Sequence, residues 1–128
     1  MIEKFEHIGI GVKDMDASVA FYQDVVGFQT FMVKEMPAGG PIKKLVFLRK
    51  GDDIIELLSF QNADAGVAKY ESLGTSHICF AVQGIKAEID RWVGLGIPQV
   101  IPTSPTADGG FRCAFQGPNG EFIELKGK

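Results

Sequence analysis

Ser76-His77-Ile78-Cys79-Phe80-Ala81-Val82 repeats in kind the opening stretch Glu6-His7-Ile8-Gly9-Ile10-Gly11-Val12. Each run is short and strand-like, reaches a valine five residues after its histidine, and leads into a helix-patterned segment. Strand alternation puts His7, Gly9 and Gly11 on one face, with Ile8, Ile10 and Val12 on the other. In the second copy His77, Cys79 and Ala81 share a face, while Ile78, Phe80 and Val82 point the other way. The aliphatic faces read as core. The small residues beside each histidine predict room for a ligand. Self-similarity of this kind makes the chain two copies of one unit.

Outward from the first copy, Asp14 or Asp16 caps a helix that Gly27 ends, with Ala17, Ala20, Phe21, Val25 and Phe28 on its apolar face. A strand follows over 29–34, then a loop at Met36-Pro37-Ala38-Gly39-Gly40-Pro41, whose prolines and glycines hold no regular structure. Strands over 44–48 and 54–58 flank a turn at Gly51-Asp52-Asp53. A polar bridge over 61–75 carries a short helical turn at 67–73. In the second copy the helix covers 85–95, with Ile85, Ile89, Trp92 and Val93 apolar and Gly96 as its stop. Pro98, Pro102, Pro105 and Gly109-Gly110 predict a loop-rich segment, followed by strands at 112–115 and 121–126 around Gly117-Pro118-Asn119-Gly120. Each unit thus reads strand, helix, three strands.

The copies also match in their anomalies. Glu56 and Glu124 each stand inside an apolar strand, and each follows a phenylalanine, Phe47 or Phe115, by nine residues. Desolvating a carboxylate costs several kcal/mol unless a cation, a metal or hydrogen bonds compensate, on the order of the burial penalty for a charged group. His7, Glu56, His77 and Glu124 converge if the two units pair about a local twofold. Two imidazoles and two carboxylates suit a borderline divalent ion such as Zn, Ni, Co or Mn, and an octahedral ion keeps positions for substrate oxygens. Phe31, Phe47, Phe60, Phe111 and Phe115 are available to line a pocket or to fill the core.

The 128 residues amount to a single domain, 1–128, with module one about 1–60, a linker about 61–75 and module two about 76–128. Hydrophobic content of 45% and charged content of 23% are those of a globular chain. A net charge of −3 without a basic run argues against nucleic-acid binding. Neither a signal peptide nor a membrane-spanning stretch is read, and Cys79 and Cys113 fit reduced thiols in a cytoplasmic protein.

Four stretches carry a resemblance: His7-Ile8-Gly9-Ile10-Gly11-Val12, Phe21-Tyr22-Gln23-Asp24-Val25-Val26-Gly27-Phe28, Ser76-His77-Ile78, and Pro118-Asn119-Gly120-Glu121-Phe122-Ile123-Glu124-Leu125. The chain resembles the vicinal oxygen chelate superfamily of glyoxalase I, methylmalonyl-CoA epimerase, extradiol dioxygenases and the fosfomycin and bleomycin resistance proteins. The resemblance implies an α+β fold of two paired βαβββ modules forming a curved mixed sheet around a metal-binding cleft. It aligns His7, Glu56, His77 and Glu124 with the family's four metal positions, one divalent ion per site.

By the same resemblance the chain is a glyoxalase I-type lyase or isomerase acting on a small α-oxygenated carbonyl substrate. Proton transfer then runs through a metal-bound enediolate, with Glu124 as first candidate base and Glu56 as second. Two alternatives stay open: a metal-dependent epimerase of a 2-substituted acyl-CoA, and a non-catalytic drug- or metabolite-binding protein. Gly9 and Gly11 stand where glyoxalase I commonly places an arginine for glutathione, and Leu57-Leu58-Ser59 lacks the family's asparagine. The resemblance also implies a homodimer.

Overall fold

The computed structural model describes residues 1–62 and 70–128, in two compact units, Met1–Ala65 and Gly66–Lys128. Of the helical turn read over 67–73, residues 67–69 lie outside the described residues, and 70–73 form turn and bend without helix. The first unit runs β1 (Ile8–Gly11), α1 (Met15–Ala20) with a π-helical continuation (Phe21–Val26), β2 (Gln29–Glu35), β3 (Ile42–Lys50) and β4 (Asp53–Phe60). The second runs β5 (Ile78–Val82), α2 (Ile85–Gly94), β6 (Gln99–Pro105), β7 (Phe111–Gln116) and β8 (Phe122–Gly127). Each unit is a four-stranded mixed sheet, ordered β1-β4-β3-β2 and β5-β8-β7-β6. In each, the first strand lies parallel to the last and the remaining pairs are antiparallel. This is the α+β, βαβββ architecture expected from the repeat.

The aliphatic face of the first copy becomes core at Ile10 and Val12, whereas Ile78, Phe80 and Val82 of the second are only half-buried. Ile10, Val12, Val46, Leu48, Ile55 and Leu57 are buried in the first unit; Cys113, Phe115, Ile123 and Leu125 are buried in the second. Trp92 of α2 packs on Phe115, ring centroids 5.1 Å apart. At the start of α1 the Ala17 N–H donates to Asp14 Oδ1 at 3.1 Å, so Asp14 is the cap. Gly27, at φ 92°, closes the helical segment in a conformation only glycine adopts freely.

Helix faces differ from the expected ones. Ala17 and Ala20 are exposed, whereas Ser18 and Tyr22 are fully buried. The buried face runs through Ser18, Phe21 and Tyr22, three and four residues apart, and so lies to one side of the face counted on Ala17 and Ala20. Ser18 enters the interior with its hydroxyl satisfied, donating to the Asp14 carbonyl at 2.7 Å. In α2, Ile85 and Trp92 are buried but Val93 is 53% exposed. Eight residues past Ile85, it is turned about 80° from it around the axis.

The proline-rich segment expected as loop carries β6. This strand lies at the sheet's edge, pairing only with β7, and its register shifts between Gln99 and Ile101 and again between Ile101 and Ser104. Pro102, which has no N–H to give, sits in the second shift; an edge with bulges is where a strand tolerates proline.

The equal nine-residue spacings also hide a difference. Phe47 pairs directly with Glu56, but Phe115 pairs with Ile123, and it is Ala114 that faces Glu124. Lys50 pairs with Asp53, leaving a two-residue connection, whereas Gln116 pairs with Phe122 around the longer segment 117–121. A one-residue slip sends a side chain to the opposite face. Phe47 therefore stands beside its glutamate, while Phe115 is buried in the core.

Candidate functional site

In the first unit Gly9 and Glu56 are in register on the parallel pair β1–β4, so His7, two residues earlier on the same face, meets Glu56 one step away. His7 Nε2 lies 2.8 Å from Glu56 Oε2, and its Nδ1 contacts Glu6. Only 13% of the Glu56 side chain is exposed, so the imidazole is its compensating partner. The hydrogen bond to Glu6, then the charges of Glu6 and Glu56, outweigh burial and hold the His7 pKa above its ordinary 6.5. Phe47 meets the His7 ring edge-on at 5.9 Å.

The room predicted beside His7 is occupied. A Cβ on Gly9 would lie 3.2 Å from Leu58 Cδ1, and one on Gly11 would lie 3.1 Å from Phe60 Cε2. The two glycines admit side chains of β4 across the face.

The second unit repeats the frame with different neighbours. Cys79 is in register with Glu124 on β5–β8, and His77 Nε2 lies 3.8 Å from Glu124 Oε2. Ser76 Oγ is 2.6 Å from His77 Nδ1, and the Tyr70 ring stacks on His77 at 5.8 Å. Glu124 is buried and gains two further partners. The Cys79 thiol donates to Oε1 at 3.5 Å, and Arg112 Nη1 stands 3.7 Å from Oε2. Burial of the sulfur, followed by the Glu124 charge and hydrogen bond, pushes the Cys79 thiol up to about 11.

Each unit therefore brings its own histidine and glutamate together: His7 with Glu56, His77 with Glu124. Among the described residues, no group of three or more His, Cys, Asp or Glu side chains is placed so as to hold a metal by itself. The donor chemistry of each pair nevertheless fits a divalent cation. Both imidazoles turn Nε2 toward a carboxylate, while Nδ1 is engaged by Glu6 or Ser76, the outer contact that fixes a ligating histidine. Glu6 and Ser76 each precede a histidine at the same place in the repeat, a signal present in the sequence. Tyr70 and Arg112 carried no such signal. Of the five phenylalanines, Phe31, Phe60 and Phe111 are 43%, 39% and 46% exposed, Phe47 is half-buried, and Phe115 is core.

The fold and these paired donors define a class. The chain belongs to the Glyoxalase/Bleomycin resistance protein/Dioxygenase superfamily, which matches residues 4–125. It is 32% identical over 126 residues to the lactoylglutathione lyase of Haemophilus influenzae, across 94% of this chain and 91% of that one. It is 30% identical over 90 residues to the mitochondrial methylmalonyl-CoA epimerase of Homo sapiens, across 67% of this chain. That match spans 50% of the epimerase's own length. The fold recurs, with TM-score 0.74 and 20% identity over 98% of this chain and 92% of the other, in a mutant fosfomycin resistance protein from Listeria monocytogenes. That protein was solved with Mn(II) and 1S,2S-dihydroxypropylphosphonic acid. No helix among the described residues is long and apolar enough to cross a membrane.

Proposed function

We propose that this chain is a divalent-metal-dependent lyase or isomerase of the glyoxalase I type, moving a proton between adjacent carbons of a small α-oxygenated carbonyl compound. The observation that carries the reading is the repeated pair: His7 Nε2 with Glu56 Oε2, and His77 Nε2 with Glu124 Oε2, each histidine immediately before the first strand of its unit and each glutamate on the last. His7, Glu56, His77 and Glu124 would hold one Zn, Ni, Co or Mn ion. When bound, such an ion supplies Lewis-acid stabilisation of the oxyanion that develops as a proton leaves the neighbouring carbon.

Glu124 is the first candidate to take that proton and return it, with Glu56 second. Glu124 stands 3.8 Å from His77, further from its histidine than Glu56, at 2.8 Å from His7. Arg112 and the Cys79 thiol steady the Glu124 carboxylate before it accepts a proton. A second reading, epimerisation of a 2-substituted acyl-CoA, is supported by the similarity to the human epimerase. It uses the same carboxylate to remove and restore a proton beside a thioester carbonyl. We place the protein in the cytoplasm, where the free thiols of Cys79 and Cys113 persist, and expect a homodimer.

The test is metal content per chain after reconstitution with each of the four metals, in wild type and Glu124→Gln. About one ion per chain in wild type, weakened about 10- to 100-fold or more in the variant, is the expected outcome for loss of a ligand or its close support. Proton NMR in D2O then separates the two chemistries by whether solvent deuterium enters the product of a hemithioacetal or an acyl-CoA. Absence of specific metal from the wild type would overturn the reading in favour of a non-catalytic binding protein.

A further inference from the structure

The two histidines are held by different neighbours, although their strands repeat. Ile78 is in register with Ile123, so His77 stands beside Phe122, one step earlier on the two parallel strands. Phe122 and Glu124 alternate onto the same face of β8, the face toward which His77 turns Nε2. Tyr70, half-buried in the bridge between the copies, joins them. Its ring lies over the His77 imidazole at 5.8 Å with 20° between the planes, and meets Phe122 at 5.2 Å and 67°. In the first unit Ile54 occupies the place of Phe122, two residues before Glu56, and the ring that meets His7 is Phe47, edge-on at 75°.

An imidazole must have its side-chain torsions fixed before Nε2 points in one direction. Ser76 Oγ, 2.6 Å from His77 Nδ1, decides between the two flipped orientations of the ring. A hydrogen bond at one ring atom still lets the plane rock; a parallel ring over its face holds it. Phe122 in turn keeps Tyr70 in place, since edge-to-face aromatic pairs attract. The stack also gains when His77 carries a metal. Coordination draws electron density from the imidazole, and the negative face of the tyrosine ring attracts an electron-poor neighbour. Neither effect uses the tyrosine hydroxyl.

We propose that Tyr70 is a positioning residue: its ring fixes the plane of His77 with Nε2 toward Glu124, which makes the bridge between the copies an integral part of the second half of the candidate metal site. The assignment rests on the proposed function for the metal that His77 would hold. It goes beyond that reading by giving a role to a residue outside the repeat. It also sets the two histidines apart: His77 depends on the bridge, whereas His7 is engaged by Glu6 and Glu56 within its own unit.

The experiment compares wild type, Tyr70→Leu and Tyr70→Phe by proton NMR of the metal-free proteins and by zinc affinity in competition with a chromophoric chelator. His7 and His77 are the only histidines of the chain, so their ring protons give two sets of signals, told apart with His7→Gln. Far-UV circular dichroism confirms that the variants keep the fold. Tyr70→Leu is expected to shift the His77 ring signals, through loss of the neighbouring ring current, and to leave those of His7 in place. Its zinc affinity should fall about 2- to 10-fold, the worth of one aromatic pair. Tyr70→Phe should keep the wild-type His77 signals and affinity. His77 signals unmoved in Tyr70→Leu, zinc bound by that variant as tightly as by wild type, or Tyr70→Phe losing as much as Tyr70→Leu would each overturn the assignment alone. Wild type that takes up no zinc would overturn the enzymatic reading as well, so the two failures are distinguishable.

Discussion

Cys79 gives the most direct check on the electrostatics around Glu124. Its thiol is pushed from an ordinary 9.0 up to about 11, by burial first and then by the Glu124 carboxylate that accepts its hydrogen. At pH 8 that shift lowers the thiolate fraction about 100-fold. The less acidic thiol is the better nucleophile once ionised, by about 6- to 10-fold over such a shift, so disulfide exchange at pH 8 should run about 10-fold slower than for an unperturbed cysteine. The assay is reaction of the metal-free protein with an aromatic disulfide reagent, with rate constants followed from pH 7 to 11. Cys79→Ser provides the baseline, since Cys113 is buried. Glu124→Gln removes the negative charge and leaves the burial, so its rate at pH 8 should rise while the thiol stays above 9.0. An apparent pKa at or below 9.0 in the wild type, or no response to Glu124→Gln, would refute the arrangement of sulfur and carboxylate described here.

Three further outcomes follow from the packing and the charges. Phe115→Ala should cost about 3–5 kcal/mol in urea unfolding, as for a fully buried ring, and Phe47→Ala clearly less; equal costs would contradict the one-residue slip. Gly127→Ala places a Cβ against the Val82 carbonyl across the parallel pair, so it should destabilise by about 1–3 kcal/mol, read as a fall in thermal midpoint. The Asp108 carboxyl is held at about 2, below its ordinary 3.8, first by the Thr106 hydroxyl and then by Lys126. A depressed folded-state pKa contributes stability above the unfolded value that is lost as pH falls through the folded one. Asp108→Asn should therefore be less stable than wild type at neutral pH, with the gap closing between pH 3.8 and about 2 in acid-unfolding curves.

The repeat was legible because it was written twice in strand alternation, and alternation survives folding. His7 and His77, like Glu56 and Glu124, could be found by counting, since equal register in the two units follows from equal pattern. What counting could not supply was anything fixed by a local departure from regular geometry. The long connection before Phe122 turned Phe115 over, and the bulge at Phe31 aligned it with Arg49. The edge position of β6 likewise depends on pairing, which its prolines argued against locally. Tyr70 reaches His77 from the bridge between the copies, which the repeat does not match, and Arg112 reaches Glu124 from β7, the counterpart of β3.

The parallel pairing of first with last strand also bears on how such a chain is made. Among the described residues β1 neighbours only β4, and β5 only β8, so neither opening strand has its sheet partner while the intervening helix and two strands emerge from a ribosome. Long-range closure of this kind slows folding relative to hairpin formation. Each histidine is synthesised early and waits for a glutamate made about fifty residues later. A nascent chain halted before Asp53 would expose Ile8 and Ile10 on an unclosed edge, a natural substrate for chaperones, and only completion of the final strand of each unit withdraws that edge from solvent.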